Sequence, residues 1–389
     1  MRLLFVHDHI FSSSKCGEVY SAAAYPTYAW ARYFEFFDEV AVVGRYSGVA
    51  EKPEDTLVRS SREGVVFEFV DSIANPASLF LRSKGVRQRI YELVASSNAV
   101  VARLPSENGL LACACAKELG KPCAVEVVGC VWDALWNHGS WLAKLYAPIA
   151  FWRMRQAVKH SKRTLYVTQS FLQRRYPSAK NALTVSASNV EIESPCMSKI
   201  ESRDWSKPKL VLGLIGNYKT RYKGIHLAIE ALSLLKNDLG DFELRVLGKG
   251  DPVEYREMAK RMGVLDNTVF CGALPNGEPV MRWLDEIDLY MQPSLTEGLP
   301  RALIEAMSRG CVCVGSDAGG TPELLPLKLV HRAGDARSLA EVVKTALSEK
   351  GCWSSISLQN YERSKVYDKS FLNKKRSDFY FALKKAATQ

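Results

Sequence analysis

Short apolar runs recur along the chain, each followed by a polar or glycine-bearing loop and then by a stretch with helical spacing. RLLFVH (2–7), EVAVVG (39–44), NAVVARL (98–104) and CAVEVVG (123–129) lie in the first half. KLVLGLIG (209–216), FELRVLG (242–248), DLYMQ (288–292) and CVCVG (311–315) lie in the second. Runs this short and this apolar suit strands buried on both faces, and their alternation with helical segments predicts parallel sheets with helices on either side. The 389 residues suffice for two domains of ordinary size. A polar segment with two prolines, ESPCMSKIESRDWSKP (193–208), reads as the linker between them. The expected division is 1–192, linker 193–208, and 209–365, followed by a basic helical tail. Finer expectations are a loop over 8–21 after the first strand, a helix from there through Phe37, and a helix over 141–163 interrupted at Pro148.

The most informative stretch is YMQPSLTEGLPRALIEAMSRGCVCVGSDAGGTPELL (290–325). Asp288–Gln292 reads as a strand and 293–300 as a loop rich in breakers. Arg301–Ser308 reads as a helix with Leu303, Ile304 and Met307 on one side, and Pro300 stands where it begins. The free N–H groups at a helix start favour an anion such as phosphate. Glu305, one turn further in, can accept from the two hydroxyls of a ribose. Glu297, in the loop, can hold sugar hydroxyls. Two glutamates at this spacing would alone read as solvated charges; their setting between PSLTEGLP and GGTPE reverses that reading.

This stretch closely resembles the donor-site signature of the large retaining glycosyltransferase family commonly called family 4, whose pattern is P-S-x-x-E-G-x-x-x-x-x-x-E-A-M-x-x-G followed by a strand and G-G-x-P-E. The match covers Pro293–Glu323. The resemblance implies an α/β chain of the GT-B fold: two Rossmann-like parallel-sheet domains facing across a cleft, the first binding the acceptor and the second the nucleotide-sugar. It also implies a last helix, about 366–389, packed back on the first domain. In the loop NYKTRYKG (217–224) the family places a lysine before glycine, matched by Lys223, and an arginine after the strand glycine Gly216. That arginine position is Asn217, so Arg221 is the candidate second cation. Two cations here would stabilise a leaving diphosphate without a metal.

The same resemblance assigns donor contacts to Gly248 in its glycine loop and to Ala273 and Leu274 near the nucleobase. Gly298, Leu299, Pro300 and Arg301 would line the phosphate or sugar, and Glu305 would take the ribose. Glu297 and Lys223 are the catalytic candidates, acting by positioning and by stabilising the leaving group. Gly17, after the first strand, would let the backbone approach a ligand. The family's sugar-facing histidines are replaced by Arg103 and Val128. His9, Lys15, Arg103 and His138 are the candidate acceptor or sugar contacts, with His7 and Asp8 beside them. No cofactor is expected, because the nucleotide-diphosphate sugar is a co-substrate, and no metal site is expected.

The net charge of +10 and pI near 9.0 call for an anionic partner or surface. No nucleic-acid motif accompanies it. Between Asp133 and Glu191 there is no acidic residue but nine Lys or Arg, with Trp136, Trp141, Tyr146, Phe151 and Trp152 interleaved. A basic, aromatic helical segment of this kind suits a membrane interface, so an anionic membrane surface docking on 141–180 is expected, along with a saccharide or lipid-linked acceptor. The ten cysteines include no C-x-x-C pair and sit largely in apolar runs, as reduced thiols do. The opening residues turn polar too soon for a signal peptide, and no run is long enough to span a bilayer. A cytoplasmic protein, peripheral on the cytoplasmic face of the membrane if docked, is expected. Neither HDHIFSSSKCGE nor IGNYKTRYKG supplies G-x-G-x-x-G, which argues against a dehydrogenase. EGLP with the following glutamate argues against an epimerase or a phosphorolytic enzyme. The alternative kept open is a weak or dead nucleotide-sugar or saccharide-binding relative of the transferases.

Overall fold

The computed structural model describes residues 1–22, 25–51, 57–73, 76–137, 139–190, 192–193 and 197–389. The chain forms two compact units, Met1–Ala187 with Asn373–Gln389, and Ser188–Leu372. The second unit takes in the stretch read as linker, within which Met197–Glu201 is helical.

The first unit is built on a sheet of β1 (Arg2–Ser13), β2 (Val19–Ser21), β3 (Glu39–Val49), β4 (Val58–Arg59), β5 (Val65–Phe69), β6 (Ala99–Leu104), β7 (Cys123–Val127), β8 (Arg163–Tyr166) and β9 (Leu183–Ser186). Its parallel core runs β5–β3–β1–β6–β7–β8–β9. Leu4, Val6, Ala41, Val43 and Val100 face helices 76–95 and Glu107–Glu118, which bury Ile90, Val94, Ala112 and Ala116 against them. On the other face Phe5 meets Trp30 and Tyr33 edge-on or tilted.

Two local expectations change here. The loop expected over 8–21 is instead a continuation of β1 to Ser13, returning as an antiparallel hairpin with β2. His7, His9 and Phe11 keep the period-two alternation going, and an equally long β3 supplies the pairing partner through Val49. The helix expected through Phe37 is a 3₁₀ turn, Thr27–Trp30, and a single turn, Ala31–Phe34. A third change concerns helix Trp141–His160, which runs through Pro148 without a break. The ring is on the exposed side of the helix, where water can serve the carbonyl of Lys144 that Pro148 leaves without a donor.

The second unit carries a fully parallel sheet in the order β12–β11–β10–β13–β14–β15. These strands are β10 (Leu210–Ile215), β11 (Phe242–Leu247), β12 (Thr268–Gly272), β13 (Leu289–Gln292), β14 (Val312–Ser316) and β15 (Val330–His331). Helices Ile225–Leu235 and Ala336–Ser348 close one core against them, through Ile225, Leu232, Leu339 and Val343. Strand order reverses between β1 and β6 in one sheet and between β10 and β13 in the other. Sheets of this kind bind ligands outside the carboxyl ends of the strands at such a reversal.

Candidate functional site

β10 and β13 are neighbours, so the loops after Ile215 and after Gln292 leave the second sheet side by side. They are locked together at two points. Leu295 N–H donates to the Tyr222 carbonyl at 2.7 Å. Gly224 has φ +74°, and a β-carbon there would lie 1.9 Å from the Pro293 carbonyl oxygen. Only glycine combines that backbone with that approach, which is the physical content of the Lys-Gly pair. Gly248 is held against Gly216 in the same way: a β-carbon would meet the Gly216 carbonyl oxygen at 1.8 Å.

The lock delivers Lys223 to Glu297, with Nζ 2.6 Å from Oε1. Gln292 Nε2 (3.0 Å) and Ser294 Oγ (2.7 Å) donate to the same oxygen. Gln292 is itself held by the Tyr290 hydroxyl, which donates to its Oε1 at 3.1 Å. Ser316 Oγ donates to the Ser294 carbonyl at 2.6 Å, and Gly320 N–H to the Gly298 carbonyl at 2.7 Å, so the GGTP turn holds the glutamate loop from behind. Three donors thus converge on one carboxylate oxygen of Glu297. Among the described residues none reaches the other.

Glu305 lies one turn into helix Arg301–Ser308. Its carboxylate has no hydrogen-bond partner among the described residues. Burial pushes its pKa above the ordinary glutamate value, and the charge of Arg301 only partly offsets this. The buried phenol of Tyr290 is raised chiefly by its burial, with smaller contributions from the charges of Glu305 and Glu297. Pro300 is the N-cap rather than the first helical residue, and no side chain caps the helix start. Leu299 and Pro300 are buried there, while Arg301 is exposed.

The remaining donor candidates are placed less centrally. Asn217, standing where the family has arginine, closes an Asx turn by accepting from Lys219 N–H at 2.8 Å. Arg221 pairs with Glu254 at 3.3 Å on the exposed surface rather than with Glu297. Ala273 and Leu274 are exposed just after β12. Gly17 is at the turn of the β1–β2 hairpin with φ +84°, and Lys15 is exposed beside it.

In the first unit, His9 is a strand residue whose Nε2 is 2.8 Å from Ser21 Oγ, packed edge-on against Tyr25 and Phe11. Burial, with Arg45 and Arg103 nearby, lowers its pKa to about 4. Arg103 stacks on Tyr25 and pairs at 3.3 Å with the buried Glu126, which also accepts from the hydroxyls of Tyr33 and Tyr380. Through Glu126 it ties β6 to β7 and to helix Lys369–Ala387. Asp8 accepts from the N–H groups of Glu107 (2.6 Å) and Asn108 (3.2 Å), anchoring the start of helix Glu107–Glu118. A cavity of about 160 Å³ opens beside it, lined by Glu107, Leu110, Val131, Tyr146 and Met154 among others. His138 lies outside the described residues.

Sequence reasoning assigned no role to Tyr290, Gln292 or Ser294, although YMQ leads directly into the signature and Ser294 is its second residue. The roles of Tyr290 and Gln292 depend on which face of β13 each presents, and a fully buried strand has no polar alternation to show that. Among the described residues no group of three His, Cys, Asp or Glu side chains is placed to hold a metal ion.

Comparison with known proteins identifies the family and the fold. The model of the family "Glycosyl transferases group 1" matches residues 209–349, which contain the whole second-unit site. Protein CapJ of Staphylococcus aureus is 30% identical over 393 residues, covering 98% of each chain. The amylovoran biosynthesis glycosyltransferase AmsK of Erwinia amylovora is 37% identical over 133 residues, 32% of this chain and 33% of its own. Among solved structures, Anabaena HepE in complex with UDP and glucose superposes with a TM-score of 0.65 at 15% identity, covering 98% of this chain and 100% of its own. That likeness shows the fold, two Rossmann-like domains of the GT-B kind. With a relative at this identity along its full length and the family model on its second unit, the chain belongs to the group 1 glycosyltransferases.

Proposed function

We propose that the chain transfers a sugar, with retention of anomeric configuration, from a nucleotide-diphosphate donor held by the second unit to a saccharide or lipid-linked saccharide. The observation that carries this reading is the pairing of two differently prepared carboxylates at one sheet reversal. Glu297 is fixed through one oxygen by Lys223, Gln292 and Ser294 and keeps the other for a ligand. Glu305 is largely desolvated, and its carboxylate has no hydrogen-bond partner among the described residues. A partly buried carboxylate without a donor is costly unless a ligand supplies one, and two vicinal ribose hydroxyls suit it.

An ammonium has three donors. Lys223 uses one on Glu297 and keeps two for the donor diphosphate. As the acceptor oxygen bonds to the anomeric carbon, the carbon–oxygen bond to the diphosphate breaks. The acceptor proton passes to the departing phosphate oxygen on the same face, so no separate base is called for. Catalysis then rests on positioning and on Lys223 stabilising the leaving charge, which is why metal-independent transfer is proposed. Support for a nucleoside diphosphate comes from HepE, solved with UDP and glucose. Support for polysaccharide assembly comes from AmsK, named for amylovoran biosynthesis.

The displaced arginine position, Asn217, favours one second reading, a binding protein without turnover. Incubation with UDP-, GDP- and ADP-sugars and candidate acceptors in excess chelator separates the two. Transfer to a product of unchanged anomeric configuration supports the proposal. Binding without hydrolysis or transfer supports the second reading, and activity that returns only with magnesium refutes metal independence.

A further inference from the structure

Helix Trp141–His160 is apolar on two opposite faces. Ala147, Ala150, Met154 and Val158 are buried in the first unit. Trp141, Leu142, Leu145, Ile149 and Trp152 fall within about 100° of arc on the other side, and all are exposed, Trp141 at 68%, Leu145 at 66% and Trp152 at 61%. Trp136, from the preceding short helix, is exposed beside them, with the Lys144 ammonium 5.5 Å from its ring centre. A helix of a globular unit ordinarily turns one apolar stripe inward and a polar face to solvent, so the second apolar face is left to meet another apolar environment. An exposed patch of this kind marks an interaction surface.

Charge decides the occupant. No acidic residue lies between Asp133 and Glu191, and Lys144, Lys159 and Lys162 are exposed on and next to the helix. A second copy of this chain would oppose like charges across the patch, whereas an anionic bilayer complements them. Tryptophan, with an apolar body and one N–H donor, suits the boundary between headgroups and acyl chains. We propose that this helix is an interfacial anchor that lies in the plane of an anionic membrane. Trp141, Leu145, Ile149 and Trp152 would enter the acyl boundary and the lysines would reach the headgroups. The inference does not depend on the transferase reading, although it would bring a lipid-linked acceptor to the first unit.

The test is flotation of the full chain, at low salt, with vesicles of equimolar phosphatidylglycerol and phosphatidylcholine and with vesicles of phosphatidylcholine alone. The wild type should float with the anionic vesicles and far less with the neutral ones. Trp141→Ser/Leu145→Ser/Trp152→Ser should lower partitioning by at least about tenfold, while its melting temperature and nucleotide binding stay at wild-type values because these side chains are exposed. Lys144→Glu/Lys159→Glu should abolish the preference for anionic lipid. Failure of the wild type to float overturns the proposal. So does equal flotation of the triple variant, or a wild-type dimer in sedimentation that the triple variant dissolves.

Discussion

Replacing Lys223 by methionine should separate what the Lys223–Glu297 pair does for the fold from what it does for the reaction. The ammonium is 2.6 Å from a carboxylate that is 9% exposed, and the lysine side chain itself is 22% exposed. Removing one partner of a fully buried pair costs about 3–5 kcal/mol, because the other charge is stranded. Here Gln292 and Ser294 continue to donate to the same oxygen, so the expected loss is that of one charged hydrogen bond, about 1.5–3 kcal/mol. In a domain of this size that lowers the melting temperature by about 3–12 °C, at 2–4 °C per kcal/mol.

Glu297→Gln removes the anion and keeps the shape. The double variant should therefore be more stable than the sum of the two losses predicts, by a coupling of about 1–2 kcal/mol. Urea denaturation of the four proteins without ligand measures this cycle. Turnover should fall about 10²–10³-fold in Lys223→Met, the usual loss when one group stabilising transition-state charge is removed. Losses that add to within about 0.3–0.5 kcal/mol would show that the pair does not interact and would refute the assignment of Lys223 to this site.

Three further outcomes follow. Glu305 has a raised folded-state pKa, so its ionised form favours the unfolded chain above that pKa, and this cost vanishes as pH falls below the unfolded value. Glu305→Gln should accordingly raise the melting temperature near neutral pH, lose that gain in acid, and bind nucleotide more weakly, as read by calorimetry across pH. His9 behaves in the opposite sense. With a folded pKa of about 4 against an ordinary 6.5, its contribution is intact above pH 6.5 and is lost as pH falls toward 4. The loss is about 3 kcal/mol in all, at 1.36 kcal/mol per pH unit, and His9→Gln should flatten the acid limb of a stability–pH curve by that amount. Gly224→Ala forces a β-carbon to within 1.9 Å of the Pro293 carbonyl in a left-handed backbone; it should cost at least about 1–3 kcal/mol, and nucleotide binding should fall with the loop lock.

The alternation of strands and helices made the parallel strands of both sheets legible, because a strand buried on two faces reads as a short, mainly apolar run. PSLTEGLPRALIE pointed to the candidate site because its breakers mark a loop that ends at a helix start. The β1 hairpin was not legible: Asp8, His9 and the serines that follow are loop-forming residues, and only pairing with an equally long β3 keeps them extended. The sequence marks Arg103 as a candidate acceptor or sugar contact because it does not show that the carboxylate partner, Glu126, comes from the next strand and the ring partner, Tyr25, from a distant turn. Spacing along the loop could not show that Arg221 pairs with Glu254 on the exposed surface, a contact weak enough to yield to a ligand. The second oxygen of Glu297 and the carboxylate of Glu305, acceptors without a donor among the described residues, emerge only when the donors around them are counted.

The central claim is that Glu305 and Lys223 hold a nucleotide-diphosphate sugar, and calorimetric titration of UDP-, GDP- and ADP-sugars tests it most directly. One of these should bind the wild type, with Glu305→Ala and Lys223→Ala each weakening it at least about tenfold, the loss expected for one hydrogen bond to a charged group. Wild-type affinity retained in both variants, or no nucleotide-sugar bound by the wild type, would contradict it.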